Sequence, residues 1–307
     1  MALLYTHDAF AGHVTPPGHP EQVARLSVIA ATLEGMTLDR RAAPLAPEAA
    51  VLRCHPAGYV TRVRAAVPAQ GWIQLDGDTS LSPGSYDAAM RAVGAACAAV
   101  DAVLTTDAKT AFVACRPPGH HAETETAMGF CLFGTVAIAA KYALDHHGLQ
   151  RVAILDFDVH HGNGTQDLMW NEARCFFAST HQMPLYPGTG SRAERGAHGQ
   201  ILNVPLRQGS GSAAMRAAYS TEILPAVAKW KPNLILLSAG FDAHQDDPLA
   251  GLEWETDDYA WLTHQICDLA AECCDGRVVS CLEGGYDLPA LAASVAAHVG
   301  VLKERGK

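Results

Sequence analysis

Val152-Ala153-Ile154-Leu155-Asp156-Phe157-Asp158-Val159-His160-His161-Gly162-Asn163-Gly164 changes character after its fourth residue. The first four residues are continuously apolar, as in a central strand of a parallel sheet covered on both faces. Carboxylates, imidazoles and glycines follow at once, and open α/β sheets bind ligands at that C-terminal edge of their strands. On an extended chain, side chains two apart share a side, so Asp156, Asp158 and His160 are expected to point together. A carboxylate and an imidazole at that spacing can converge on one cation, and zinc accepts O and N ligands at roughly 2.0–2.2 Å. The competing reading is that Asp156 and Asp158 only cap a helix near Gly164. A lone acid at a strand end usually does that; Asp-x-Asp-x-His-His ahead of Gly-Asn-Gly favours the metal.

The same alternation extends through the chain. Strands are expected at Ala2 to Tyr5, Thr110 to Cys115, Val152 to Phe157, Cys175 to Ser179, Ile201 to Leu206, Leu234 to Ser238 and Val278 to Leu282. Helical patterns fill His19 to Leu33, Pro56 to Val67, Pro83 to Leu104, Phe130 to His146, Ser212 to Trp230, Asp257 to Cys274 and Pro289 to Leu302. β–α alternation without repeat, low-complexity tract or linker predicts one α/β domain over residues 1–307, with a largely parallel central sheet flanked by helices.

Three other strand ends carry chemistry. Asp242 follows Leu234 to Ser238 and Ala239-Gly240-Phe241, and completes two carboxylates and one imidazole with a position left for water. His244, Asp246 and Asp247 read as supporting or solvated loop residues. Arg116-Pro117-Pro118-Gly119-His120-His121 places two imidazoles after a stiff turn. Amide hydrolysis needs a base to activate water and an acid to protonate the amine, and histidine titrates in range for both. Asp156 and Asn163 are placed to orient the two rings. The carboxylate partner should raise one histidine's pKa more than the amide raises the other's, dividing the labour. An isolated His-His pair such as His146-His147 would be surface decoration. Glu283-Gly284-Gly285-Tyr286 ends the last strand, and a phenol there can donate to a developing oxyanion, though a Tyr after Gly-Gly is usually a packed turn residue.

Composition sets the outer limits. About half of the 307 residues are hydrophobic (49%), enough for a core without disulfides. A net charge of −10 argues against binding nucleic acid by phosphate neutralisation. The nine cysteines lack regular spacing and read as reduced, buried thiols. No run is expected to reach the ~18 apolar residues of a membrane helix, and the N-terminus has no basic n-region. The expectation is a cytoplasmic protein with no membrane partner.

Together these segments resemble the histone deacetylase superfamily, which includes bacterial deacetylases and acetylpolyamine amidohydrolases. The resemblance is carried, in order, by His19-Pro20-Glu21 with Arg25-Leu26, Arg116 to Glu123, Gly129-Phe130-Cys131, Asp156 to Thr165, Tyr186-Pro187-Gly188-Thr189-Gly190, Ala239 to Ala243 and Glu283 to Tyr286. It implies one zinc per chain on Asp158, His160 and Asp242. It implies His121 as the main general base and acid beside Asn163, and His120 paired with Asp156 as an electrostatic aid. Tyr286 would polarise the acetyl carbonyl, and Gly129 and Phe130 would line a narrow channel for the alkyl stem. A structural potassium ion near the Asp156 to His160 strand, on backbone carbonyls around Ser179 and Thr180, is also implied. The substrate would be an acetylated amine: acetyl-lysine, an acetylpolyamine or another small amine. After His19-Pro20-Glu21 the family usually has Arg-Pro, whereas Gln22-Val23 stand here. Asp78 reads equally as a holder of the substrate amide or as a solvated acid. Two rivals are an arginase-like hydrolase with two manganese ions, whose second carboxylate set has no counterpart here, and a non-catalytic binder of acetylated amines.

Overall fold

The apolar runs become one sheet. The computed structural model describes residues 1–306. Its strands are β1 (Leu3–Thr6), β2 (Asp39–Ala42), β3 (Ile73–Gln74), β4 (Ser80–Leu81), β5 (Thr110–Val113), β6 (Val152–Asp156), β7 (Cys175–Gln182), β8 (Ile201–Leu206), β9 (Leu234–Ala239) and β10 (Val278–Leu282). The helices are α1 (Ala24–Leu33), α2 (Glu48–Val51), α3 (Ala57–Ala65), α4 (Ser85–Thr105), α5 (Thr135–Asp145), α6 (Asn163–Met169), α7 (Ser212–Ala218), α8 (Leu224–Trp230), α9 (Thr256–Cys274) and α10 (Leu288–Arg305). Eight strands form a parallel sheet in the order β2-β1-β5-β10-β9-β6-β7-β8, while β3 and β4 make a separate antiparallel hairpin.

Burial on both faces explains the unbroken apolar strands. Along β6, Val152 and Ile154 enter one hydrophobic cluster, and Ala153 and Leu155 enter the other on the opposite face. The result is a single α/β domain with helices covering both faces of the sheet. β5, β10, β9 and β6 are consecutive neighbours. Because they are parallel, the four loops singled out in the sequence leave one edge of the sheet side by side.

Some expectations need correction. β6 stops at Asp156, and residues 157–162 form a bent loop, so strand alternation does not orient Asp158 and His160. The polar edge strand β2 and the β3–β4 hairpin lack the hydrophobic pattern and were not anticipated. The stretch expected as one helix from Ser212 to Trp230 is α7 and α8 joined by a π-helical turn at Tyr219–Ile223. The membrane expectation also changes: α4 is long and apolar enough to span a bilayer, although most of it is buried inside this fold. Its small residues allow close approach, as at Gly94, where a Cβ would lie 2.7 Å from the Ala46 amide nitrogen.

Buried His298 gives the fold a pH dependence. On α10, it shares hydrogen bonds with Thr263 Oγ1 of α9 at 2.7 Å and Ser280 Oγ of β10 at 2.9 Å. Burial pushes its pKa down to about 3 from 6.5. Above 6.5 the ring is neutral whether folded or unfolded. As pH falls from 6.5 toward 3, only the unfolded chain takes up the proton, so stability is lost. His298→Gln should remove this part of the slope. Between pH 7 and pH 5, urea unfolding of the parent should lose about 2 kcal/mol more than that of the variant. Equal losses would refute the assignment.

Candidate functional site

The loop after β6 is shaped by its own side chains. Asp156 Oδ1 accepts from the Asp158 amide at 3.2 Å, and Asp158 Oδ1 accepts from the His160 amide at 2.9 Å. These short-range bonds turn the chain and separate the two aspartates. Asp156 faces the His120 loop, with Oδ2 3.0 Å from His120 Nδ1. Asp158 faces the β9 and β10 loops, and its Oδ2 accepts from the Gly284 amide at 2.8 Å. Only glycine fits at 284, because a Cβ would lie 2.6 Å from Asp158 Oδ2 and 2.7 Å from Asp242 Cγ.

Asp242 arrives from β9. Its Oδ1 accepts from the Val159 amide at 2.9 Å, and its Oδ2 lies 3.1 Å from His160 Nδ1. Asp158 Oδ1 lies 3.1 Å from the same nitrogen. All three residues are buried, and one ligand atom from each lies within 4.8 Å of the others. Burial disfavours charge on His160, but Asp158 and Asp242 outweigh it and push its pKa up to about 10. Burial raises the Asp242 pKa, and the neighbouring Asp158 carboxylate adds to the shift. The two buried carboxylates thus create a field that favours positive charge at the centre of the group.

His120 and His121 stand beside this group with ring centroids 4.0 Å apart. Glu283 Oε2 accepts from the Gly119 amide at 2.6 Å and the His120 amide at 3.1 Å, so the β10 loop fixes the turn that carries them. The sequence pointed to the prolines for this task and gave Glu283 no role. His120 Nδ1 pairs with Asp156, and His121 Nδ1 lies 2.7 Å from Asn163 Oδ1. Their protonation diverges. Burial opposes charge on His120, but Asp158 and Asp156 hold its pKa well above the ordinary value. Burial and then the neighbouring His120 and His160 push His121 well below it.

His121, His160 and Tyr286 open onto a cavity of about 250 Å³ whose walls include Gly129, Phe130, Leu185, Tyr186, Leu249 and Asp78. Gly129 and Phe130 both have positive φ, 55° and 69°. A Cβ at Gly129 would also lie 2.6 Å from His121 Cγ. Their turn is held from the β3–β4 side: the Gly129 amide donates to Asp78 Oδ1 at 3.1 Å and the Phe130 amide donates to Thr79 Oγ1 at 3.0 Å. Asp78 is therefore a wall residue and an anchor of the turn, beyond either role read from the sequence.

Tyr286 packs edge-on to Phe130 and lies under the Arg25 guanidinium at 5.0 Å. Burial, with Asp242 next, holds its pKa well above the usual phenol value, so it keeps its proton. The Tyr286 amide donates to Asp247 Oδ2 at 2.7 Å, and the Leu249 amide donates to Asp247 Oδ1 at 3.0 Å. Asp247 thus ties two cavity walls together, which is the supporting one of the two roles read for it from the sequence. His161 turns away, toward Thr189 Oγ1 at 2.7 Å and Gln166 Oε1 at 3.1 Å.

A second group, Asp101, His146 and His147, lies near the C-terminal ends of α4 and α5. Asp101 Oδ1 already accepts from Tyr142 at 2.9 Å and pairs with His147 Nε2 at 2.7 Å. His146 is exposed and stacks on Tyr142. This matches the surface reading of that His-His pair.

Comparison with known proteins identifies the family. The family model of the histone deacetylase domain matches residues 19–302. The histone deacetylase-like amidohydrolase of Pseudomonas aeruginosa is 41% identical over 287 residues, covering 90% of this chain and 75% of that protein. A probable deacetylase of Archaeoglobus fulgidus is 40% identical over 291 residues, covering 92% of this chain and 80% of its own length. The crystal structure of the HDA15 HD domain superposes with a TM-score of 0.93 at 31% identity, covering 99% of this chain and 90% of that one. The chain is a hydrolase of the histone deacetylase family.

Proposed function

We propose that the chain hydrolyses an N-acetyl amide, of acetyl-lysine or of an acetylated polyamine or other small amine, to the free amine and acetate, using one zinc ion held by Asp158, His160 and Asp242. The observation that carries this reading is the meeting of three buried ligand atoms with a divided imidazole pair and a protonated phenol around one cavity. The donor set suits zinc: two carboxylates and one imidazole, with a side left open to the cavity. When bound, such an ion acts as a Lewis acid toward the acetyl oxygen and makes a water acidic near neutral pH.

The remaining chemistry belongs to the chain. Asn163 occupies His121 Nδ1, which leaves Nε2 to take the proton of the attacking water and return it to the leaving amine nitrogen. His120, kept cationic by Asp158 and Asp156, holds positive charge beside the reacting carbonyl. The Tyr286 hydroxyl donates to that carbonyl oxygen as it becomes negative. Gly129, Phe130 and Tyr186 enclose the alkyl stem and keep out bulk water. A structural potassium ion belongs to the same proposal. Asp156 pairs in register with Ser179 on one side and Ser238 on the other, and the buried Ser238 Oγ has no partner among the described residues. So does a cytoplasmic setting, supported by the buried thiols.

Tyr286→Phe tests the oxyanion role. It should lower kcat by about 10²–10³-fold, the cost of one oxyanion donor, and leave KM within a few-fold. An unchanged kcat would remove the phenol from the mechanism. The reading as a whole is tested by assaying the purified protein on acetyl-lysine peptide, acetylputrescine and acetylspermidine, with metal content measured alongside. One zinc per chain and acetate release are expected. Two manganese ions per chain, or tight binding of acetyl-lysine without turnover, would overturn it.

A further inference from the structure

We infer that Glu123 is a positioning residue that sets the tautomer of His121 through Asn163, rather than a solvated loop acid. The inference rests on the reading of His121 as general base. A base needs its lone pair on Nε2, toward the cavity, and therefore its proton on Nδ1. Asn163 enforces this only if its carbonyl oxygen faces Nδ1. The two ends of an asparagine amide have nearly the same shape but opposite polarity. With the amide turned over, the NH2 would face Nδ1, the ring proton would move to Nε2, and the lone pair would be lost from the cavity.

Asp156, the partner of His120, has no such ambiguity, because its two oxygens are equivalent. Asn163 requires something to choose its orientation, and the structure supplies it. Asn163 Nδ2 donates to Glu123 Oε1 at 2.8 Å, while Asn163 Oδ1 lies 2.7 Å from His121 Nδ1. A carboxylate only accepts, so the NH2 must face Glu123 and the carbonyl must face the ring. Met128 Sδ, a weak acceptor 3.4 Å from Nδ2, lies on the same side. Glu123 is two residues beyond His121 on the same loop, and its amide donates to Thr126 O at 3.0 Å. One short segment thus carries both the ring and the group that fixes its proton. The carboxylate sits one link away from the imidazole, so it orients the ring without pairing directly with it.

Four variants, one of them double, separate this role from simple support of the loop. Glu123→Ala should lower kcat by about ten- to hundredfold, the worth of one charge-assisted hydrogen bond, with metal content and melting temperature near the parent's. Glu123→Gln offers an amide that can accept or donate, so it fixes Asn163 less firmly than a carboxylate and should lie between the parent and Glu123→Ala. Asn163→Asp puts a symmetric carboxylate beside His121, which has no wrong orientation, so adding Glu123→Ala to it should cost nothing further. A second readout needs no turnover. NMR of labelled histidine should show His121 protonated on Nδ1 in the parent and a mixture of tautomers in Glu123→Ala. Full activity of Glu123→Ala, an equal loss in the Asn163→Asp background, or an unchanged tautomer would each overturn the inference. An inactive parent protein would instead strike the functional reading, and the tautomer measurement would still test Glu123.

Discussion

Asp242→Asn should strip the protein of its metal and lower kcat/KM by on the order of 10³–10⁵-fold, the several kcal/mol of barrier that a metal ion supplies. The substitution is chosen for what it keeps. Asp242 Oδ1 accepts from the Val159 amide, and asparagine can do the same with its own Oδ1. The loop after β6 therefore retains its tie to β9, and the buried amide is not orphaned. What disappears is one of two adjacent negative charges beside His160 Nδ1. A single buried carboxylate and one imidazole are a poor match for zinc, which takes three protein ligands in catalytic sites. Elemental analysis, circular dichroism and steady-state kinetics on the same preparation check all parts together. A folded Asp242→Asn protein that keeps one zinc per chain and near-parental kcat/KM would remove Asp242 from the site.

The sequence revealed the four strand-end loops more readily than the way their side chains face. β5, β6, β9 and β10 are buried on both faces, so their apolar runs are unbroken and their ends abrupt. That burial made Asp156, Asp242, His120 and Tyr286 stand out. β2 reads Asp-Arg-Arg-Ala, half exposed at the sheet edge, and has no apolar signature. Orientation depended on contacts between distant residues. Strand alternation pointed Asp156 and Asp158 the same way, but local hydrogen bonds turn them to different partners. Glu283, Asp247 and Asp78 act on backbone amides 164, 39 and 51 residues away, and no local pattern marks an acid for such a task. Glu123 was within reach. It lies in the quoted Arg116 to Glu123 motif, and an asparagine where a carboxylate would serve is a signal that something nearby must orient it.

His121→Ala should lower kcat by about 10²–10⁴-fold, the range for loss of a general acid–base group, without loss of metal. His120→Ala should cost less, because that ring contributes charge and no proton transfer. The pair also predicts a direction in pH. His121 must be neutral to accept a proton, and burial, then the neighbouring His120 cation, holds its pKa well below the ordinary 6.5. The acid limb of kcat/KM in the parent should therefore lie below pH 6.5, with activity rising as His121 loses its proton. His120→Ala removes a positive charge whose ring centre lies 4.0 Å away. Protonating His121 then becomes easier, its pKa rises, and the acid limb moves to higher pH. A desolvation effect alone would leave the limb in place, so a pH–rate profile of His120→Ala distinguishes the two causes. A limb that stays put or moves to lower pH would show that His120 is not the cation that keeps His121 available as a base, and His121→Ala with kcat within tenfold of the parent would mean that His121 is not the base.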